Sequence, residues 1–193
     1  MKRNIHIFLV LINCMIAQSS NNIYQDNSPA TVQIYTLVEN SIHACGTGFI
    51  VDHKGTIVTN HHVIEGAQSV EVELMNGEKY DVRGFYVIDK DKDLAIMDIP
   101  GFDLPYIKLG NSNTAQVGDE VSTIGNPLCV TDPYSKNTFS KGNVSQIFND
   151  NYGIKWIKFT APISSGNSGG PLLNVYGEVI GIVTAAHDSD DDI

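Results

Sequence analysis

Basic residues are scarce in this chain. Its 12 Lys and Arg stand against 22 Asp and Glu, a net charge of -10 over 193 residues. Neutralising a phosphate backbone takes a Lys/Arg surplus, so the balance excludes nucleic acid as a partner and points to an acidic, soluble surface. Cysteine is also rare. Cys14 sits in the first apolar run, which leaves Cys45 and Cys129, too few for a disulfide framework; one bridge or two buried thiols would both satisfy them. Cys/His pairs at metal-ligand spacing are missing, so no metal is expected. Heptads and internal repeats are missing too, which excludes coiled coils and solenoids. The one apolar run near the amino end, Ile5 to Ala17, is interrupted by His6 and Asn13 and is too short for a stable membrane span.

That run follows Met1, Lys2, Arg3 and Asn4, and a charged start before a short apolar segment is the pattern of a signal peptide over residues 1–19. Cleavage after Ser19 places small residues Ala17 and Ser19 at the site, and cleavage after Ala17 is the alternative. Export to a periplasm or to the outside medium follows. Residues 20–30 (SNNIYQDNSPA) are polar without periodicity and read as a linker. The folded body runs from Thr31 to Ala186, and the tail His187 to Ile193 carries four aspartates that read as a solvated terminus.

With 42% hydrophobic and 18% charged residues, the chain can bury one respectable core. Within the body, short runs rich in Val, Ile, Thr, Tyr and Phe recur: TVQIYTLV, GTGFIVD, GTIVTN, SVEVELM, YDVRGFYVID, LAIMDI, EVSTIG, WIKFTAP and EVIGIVTA. Such runs favour strands, and turn signals at His53-Lys54-Gly55, Asn76-Gly77 and Asn174 to Gly177 separate them as in an all-β sandwich or barrel. Alternation on both sides of Asn76-Gly77 predicts a hairpin. The helical turn predicted is His61 to Ile64, and Gly110 to Gly118 reads as the crossing between two halves.

Chemistry concentrates in three places. In Gly166-Asn167-Ser168-Gly169-Gly170-Pro171, glycines surround a serine. A serine hydroxyl is a weak nucleophile that needs a base in contact and N–H donors aimed at the oxyanion formed on attack. Gly166 can take backbone angles closed to other residues and so aim its N–H alongside that of Ser168. Alone, this segment reads better as an ordinary Gly-rich turn between two strands. It is joined by His62, in Thr59-Asn60-His61-His62-Val63, and by Asp93, which opens the apolar run Leu94-Ala95-Ile96. An imidazole base needs a carboxylate to fix its tautomer, and the order His, Asp, Ser is that of the double-barrel serine proteases.

GTGFIVDHKGTIVTNHHVIEGA, DKDLAIMDI, GDEVSTIGNP and APISSGNSGGPLLNVYGEVIGIVTA resemble the protease domain of the HtrA/Deg family over nearly all of residues 46–185. The resemblance implies a chymotrypsin-like pair of six-stranded β-barrels with the site in the cleft between them and no metal or organic cofactor. It implies His62 as base, Asp93 as its orienting acid, Ser168 as nucleophile, and Gly166 with Ser168 as the oxyanion hole. His61 stands where the family has alanine. The side-chain pocket would be lined by Pro162, Ile163, Asn167, Val183, Thr184, Ala185 and Ala186. With no acidic residue among them and no histidine at Val183, the pocket favours small or aliphatic side chains.

Unfolded proteins or flexible peptides are the implied substrates, with a role in protein quality control, and homo-oligomers occur in the family. Relatives continue into PDZ domains; here Ala186 to Ile193 follow the last strand, so gating through a PDZ domain is not expected within this chain. Cys129 replaces a family glycine, Val130 to Asn137 fill a loop beside it, and a Cys45–Cys129 bridge is implied on the oxyanion side. Two other classes share these residues: a gated or inactive protease-fold chaperone or binding protein, and an esterase. The missing Gly-x-Ser-x-Gly elbow opposes the α/β-hydrolase form of the latter.

Overall fold

The computed structural model describes residues 17–39, 41–127 and 135–184. Expectations for the segment before residue 17, for Cys129 and residues 130–134, for Ala185 and Ala186, and for the acidic tail lie outside them.

Strands dominate. The first sheet holds β1 (Thr31–Val38), β2 (Ser41–Ile50), β3 (Thr56–Thr59), β4 (Ser69–Glu73), β5 (Lys79–Asp81), β6 (Gly84–Asp89) and β7 (Leu94–Asp98). They run in the order β5-β4-β1-β2-β3-β7-β6. The two end strands are consecutive in the chain, with only Val82 and Arg83 between them. Val82 N–H donates to Val70 O of β4 at 3.0 Å, and Arg83 N–H to Asp98 O of β7 at 2.8 Å. β5 and β6 are therefore one bent strand whose halves pair with opposite ends of the sheet, and the seven segments close as a six-stranded barrel, removing the open edges. The predicted hairpin lies within it: β4 and β5 pair from Glu71↔Asp81 to Glu73↔Lys79. Gly77 takes the positive φ of 86° that its turn requires.

The second sheet holds β8 (Glu120–Gly125), β9 (Thr138–Asn149), β10 (Lys155–Phe159), β11 (Pro171–Leu173) and β12 (Val179–Ile182), in the order β10-β9-β8-β11-β12. A parallel bridge from Leu109 to Val179 adds a sixth short segment beside β12. The architecture is the expected all-β pair of chymotrypsin-like barrels. β9 and β11 were not among the predicted strands. β9 is polar and mostly exposed along its length, so no apolar alternation marks it. Its Gly142 lets another backbone approach closely: a Cβ there would stand 2.2 Å from Ala161 N.

Residues 20–30 correct the linker expectation. They form α1 (Ser20–Asn27) and a 3-10 turn (Ser28–Ala30) seated on the barrels. Ser19 caps α1, its Oγ accepting from Asn22 N–H at 3.3 Å. Ile23, Asn27 and Ala30 are buried, and Asn27 Nδ2 donates to Ile23 O at 2.8 Å. The predicted helical turn is α2 (His61–Ile64).

The larger core cluster spans the molecule. Ile34, Phe49, Ile57 and Met97 of the first barrel join Ile124, Leu173 and Val179 of the second. A smaller cluster, Val121, Val144, Leu172, Ile180 and Val183, belongs to the second barrel alone. Among the described residues no helix is long and apolar enough to cross a membrane.

Candidate active site

The candidate site forms where strands of the two barrels meet. β3 ends at Thr59, Asn60 breaks the strand in an extended conformation, and α2 begins, so His62 leaves the sheet on the first turn of a short helix. Asp93 opens β7, next to β3 in the sheet. Its φ is 49°, a left-handed conformation that aspartate tolerates better than most residues. The turn before it is held by Lys92 N–H donating to Asp89 Oδ1 at 3.0 Å and Asp93 N–H to Lys90 O at 3.3 Å. Bonding to Lys92, chiefly to its backbone N–H, keeps the Asp89 carboxyl below its usual range.

These two loops meet. His62 Nδ1 lies 2.7 Å from Asp93 Oδ2, while Asp93 Oδ1 accepts the His62 backbone N–H at 2.9 Å. Each carboxylate oxygen thus holds one group of the same residue, fixing both ring and backbone. Asn60 adds a third tie, its Nδ2 donating to Asp93 O at 2.9 Å. The side chains are 44% and 32% exposed, so the pair faces a solvent-open cleft rather than a sealed interior.

Ser168 comes from the other barrel, in the tight turn just before β11. Asn167 N–H donates to Ser164 O at 3.1 Å and Gly170 N–H to Asn167 O at 3.0 Å. Gly166 and Gly169 have φ of 96° and 86°, open to glycine and costly for other residues. At Gly169 space decides as well: a Cβ would stand 2.1 Å from Thr47 O and 2.2 Å from Thr59 Oγ1. The Ser168 loop therefore lies directly on β2 and on the strand leading to His62. Gly46 makes the same point, since a Cβ on it would meet Val63, the neighbour of His62, at 2.7 Å and Ser168 O at 3.2 Å. His62 and Asp93 are in direct contact, and Ser168 reaches the same seam through these neighbours. Among the described residues the Gly166 N–H meets no acceptor.

The expected pocket residues divide. Ile163 is 37% exposed and Thr184 half-buried, both open to a ligand. Val183 is 1% exposed and packs in the second barrel's core, while its backbone accepts from Gly169 N–H and donates to Gly170 O, each at 2.8 Å. Asn167 is buried with its carboxamide against Gly125. These two are buried, whereas Ile163 and Thr184 are open. Ala185 lies outside the described residues.

Residues missed by sequence reasoning hold the seam together. Thr47 and Asn126 are buried and bonded across it, and buried Asn60 ties to Asp93 within the first barrel. The Thr in GTG, the Asn two residues before His62 and the Asn of GNP were the available signals. Beyond them, Tyr35 donates to Glu73 at 3.2 Å, and Glu73 pairs with Lys136 from the second half. Burial first, then the Glu73 carboxylate, raises the Tyr35 phenol well above its ordinary range, so it stays protonated as donor. Cys45, the residue opposite Tyr35 across β1 and β2, is disulfide-bonded.

Residues 46–182 match the family model described as the trypsin-like peptidase domain. A probable periplasmic serine endoprotease DegP-like of Chlamydia trachomatis is 41% identical over 144 residues, covering 72% of this chain and 28% of that protein. A putative serine protease HhoA of Synechocystis is 41% identical over 158 residues, covering 76% of this chain and 38% of its own length. The chain thus spans well under half the length of these relatives. Among solved structures, a serine endoprotease from Yersinia pestis superposes with a TM-score of 0.76 at 32% identity, covering 90% of this chain and 60% of the other. The HtrA-type protease AlgW with a tripeptide gives 0.76 at 31%, covering 86% and 54%. Motifs, barrels and seam agree with these likenesses: the chain belongs to the trypsin-like peptidase family, on its HtrA/DegP side.

Proposed function

We propose that the chain is a serine endopeptidase that cleaves peptide bonds through an acyl-enzyme on Ser168. The observation that carries this reading is the double hold of Asp93 on His62. A carboxylate accepting from Nδ1–H leaves the lone pair of the imidazole on Nε2, the atom that must take the serine proton. Ser168 Oγ attacks the scissile carbonyl carbon as His62 takes its proton, and the oxygen becomes an oxyanion facing the N–H groups of Gly166 and Ser168. Collapse breaks the C–N bond, and His62 hands its proton to the departing amine. Water then repeats the sequence on the ester, returning the carboxylic acid and the serine. Donors already aimed at the oxyanion need no reorganisation during reaction, which is why such a hole accounts for a large part of the rate.

Ile163 and Thr184 offer an aliphatic and small-polar surface without charge, which supports cleavage after small or aliphatic residues. Such a pocket discriminates by only about 1–3 kcal/mol per methylene, so broad cleavage of unfolded or flexible chains follows. The charged start and apolar run at residues 1–19, together with relatives named periplasmic, support action after export. The test is cleavage of unfolded casein by the mature protein and by Ser168→Ala, with a fluorophosphonate probe for activated serine in parallel. Wild type cleaves and labels, and the variant does neither. Folded wild type that neither cleaves nor labels would move the chain to the gated binding class.

A further inference from the structure

We infer that Thr47 is a positioning residue of the active site, its buried hydroxyl locking the Gly166 carbonyl so that the oxyanion donors keep their direction; this rests on the protease reading. Thr47 lies in β2 of the first barrel and is fully buried. Its side chain does not serve the apolar core. Thr47 Oγ1 is 2.7 Å from Gly166 O, and it receives Asn126 N–H at 2.9 Å and Asn126 Nδ2 at 3.4 Å. A hydroxyl has one proton and two acceptor sites. Asn126 fills the acceptor sites from two donors, so the single proton is committed to the Gly166 carbonyl.

Asn126 has little freedom to swing away. Its Nδ2 also reaches Val32 O of β1 at 3.2 Å, and its Oδ1 accepts Asn137 N–H at 3.0 Å. The relay therefore takes its bearings from both barrels. Thr47 grips the nucleophile loop a second time, its backbone N–H donating to Ser168 O at 2.9 Å. The tied carbonyls belong to the Gly166–Asn167 and Ser168–Gly169 peptide units, so the unit that carries the Ser168 N–H is held between them and the unit that carries the Gly166 N–H adjoins the first. The carbonyl of Thr47 completes the set by accepting Thr59 Oγ1 at 2.7 Å, three residues before His62. One side chain and its peptide groups thus register the serine loop against the strand that carries the base.

Thr47→Val keeps the shape and removes the hydroxyl, leaving the Gly166 carbonyl and Asn126 N–H without their shared partner. The experiment measures turnover of a peptide substrate per active site, titrated to end point with the fluorophosphonate, well below each variant's unfolding temperature. Thr47→Val lowers kcat about 10- to 100-fold with KM within about threefold of wild type, and Thr47→Ser returns kcat to within about threefold. Wild-type kcat in Thr47→Val, or Thr47→Ser as slow as Thr47→Val, overturns the inference. So does failure of Thr47→Val and Thr47→Ala to fold when Thr47→Ser folds and works, because the hydroxyl would then be structural. Amide spectra give a readout independent of activity: the Gly166 and Ser168 resonances move in Thr47→Val and return in Thr47→Ser. Unmoved resonances overturn the lock even when wild type is inactive, and an inactive wild type with the expected movements overturns only the protease reading.

Discussion

Asp93 does its work with both oxygens. Oδ2 meets the His62 ring at 2.7 Å and Oδ1 the His62 backbone N–H at 2.9 Å. In Asp93→Asn the backbone N–H still claims an oxygen, so the amide NH₂ turns toward Nδ1 and forces the imidazole proton onto Nε2. The base then has its proton where its lone pair is needed. With the protease reading, kcat falls about 10⁴-fold while the fold survives. Stopped turnover at saturating peptide measures it, and a loss under tenfold would contradict this account of the carboxylate. The candidates His62, Asp93 and Ser168 stood out in the sequence through the short motifs around them and through their order along the chain. Thr47 and Asn126 did not: their partners stand 119 and 94 residues away at Gly166 and Val32, distances over which sequence carries no spacing rule.

At the scale of elements, strands with apolar alternation announced themselves, and two of the elements that did not are neighbours. α1 and β9 are both polar, and each is completed by the other: Tyr24 meets Phe139 edge-to-face with ring centroids 6.2 Å apart, and Lys141 reaches Ser20 Oγ at 3.2 Å. Helix propensity alone does not sustain eight residues of this composition; docking does. Thr31 Oγ1, the first residue of β1, closes the join by donating to Asn27 O at 3.1 Å. Ile23 is the buried anchor of α1 and sits in the main core cluster. Ile23→Ala should cost about 2–4 kcal/mol by transfer and cavity terms, read as a lower urea midpoint. A variant within about 0.5 kcal/mol of wild type would make this segment the linker its composition suggests.

For the whole molecule the question is whether two barrels make two folding units. Strand pairing separates them, since β1 to β7 and β8 to β12 form different sheets. Packing and polar contacts do not. Ile124, Leu173 and Val179 lie in the cluster built mainly by the first barrel, and Thr47, Asn126 and Gly166 are bonded across the seam. That seam is also the candidate site, with His62 and Asp93 on one side and Ser168 on the other, so a chain whose halves opened independently would lose its chemistry before losing its strands. Leu173 tests the point because it is fully buried, lies in β11 five residues after Ser168, and packs with the other barrel. Leu173→Ala should cost about 2–5 kcal/mol. Because the core is shared, this loss should move one transition to lower temperature, with far-ultraviolet signal and Trp156 fluorescence melting together. Two separated transitions would mean that each barrel keeps its own stability, and that the seam docks preformed halves instead of folding with them.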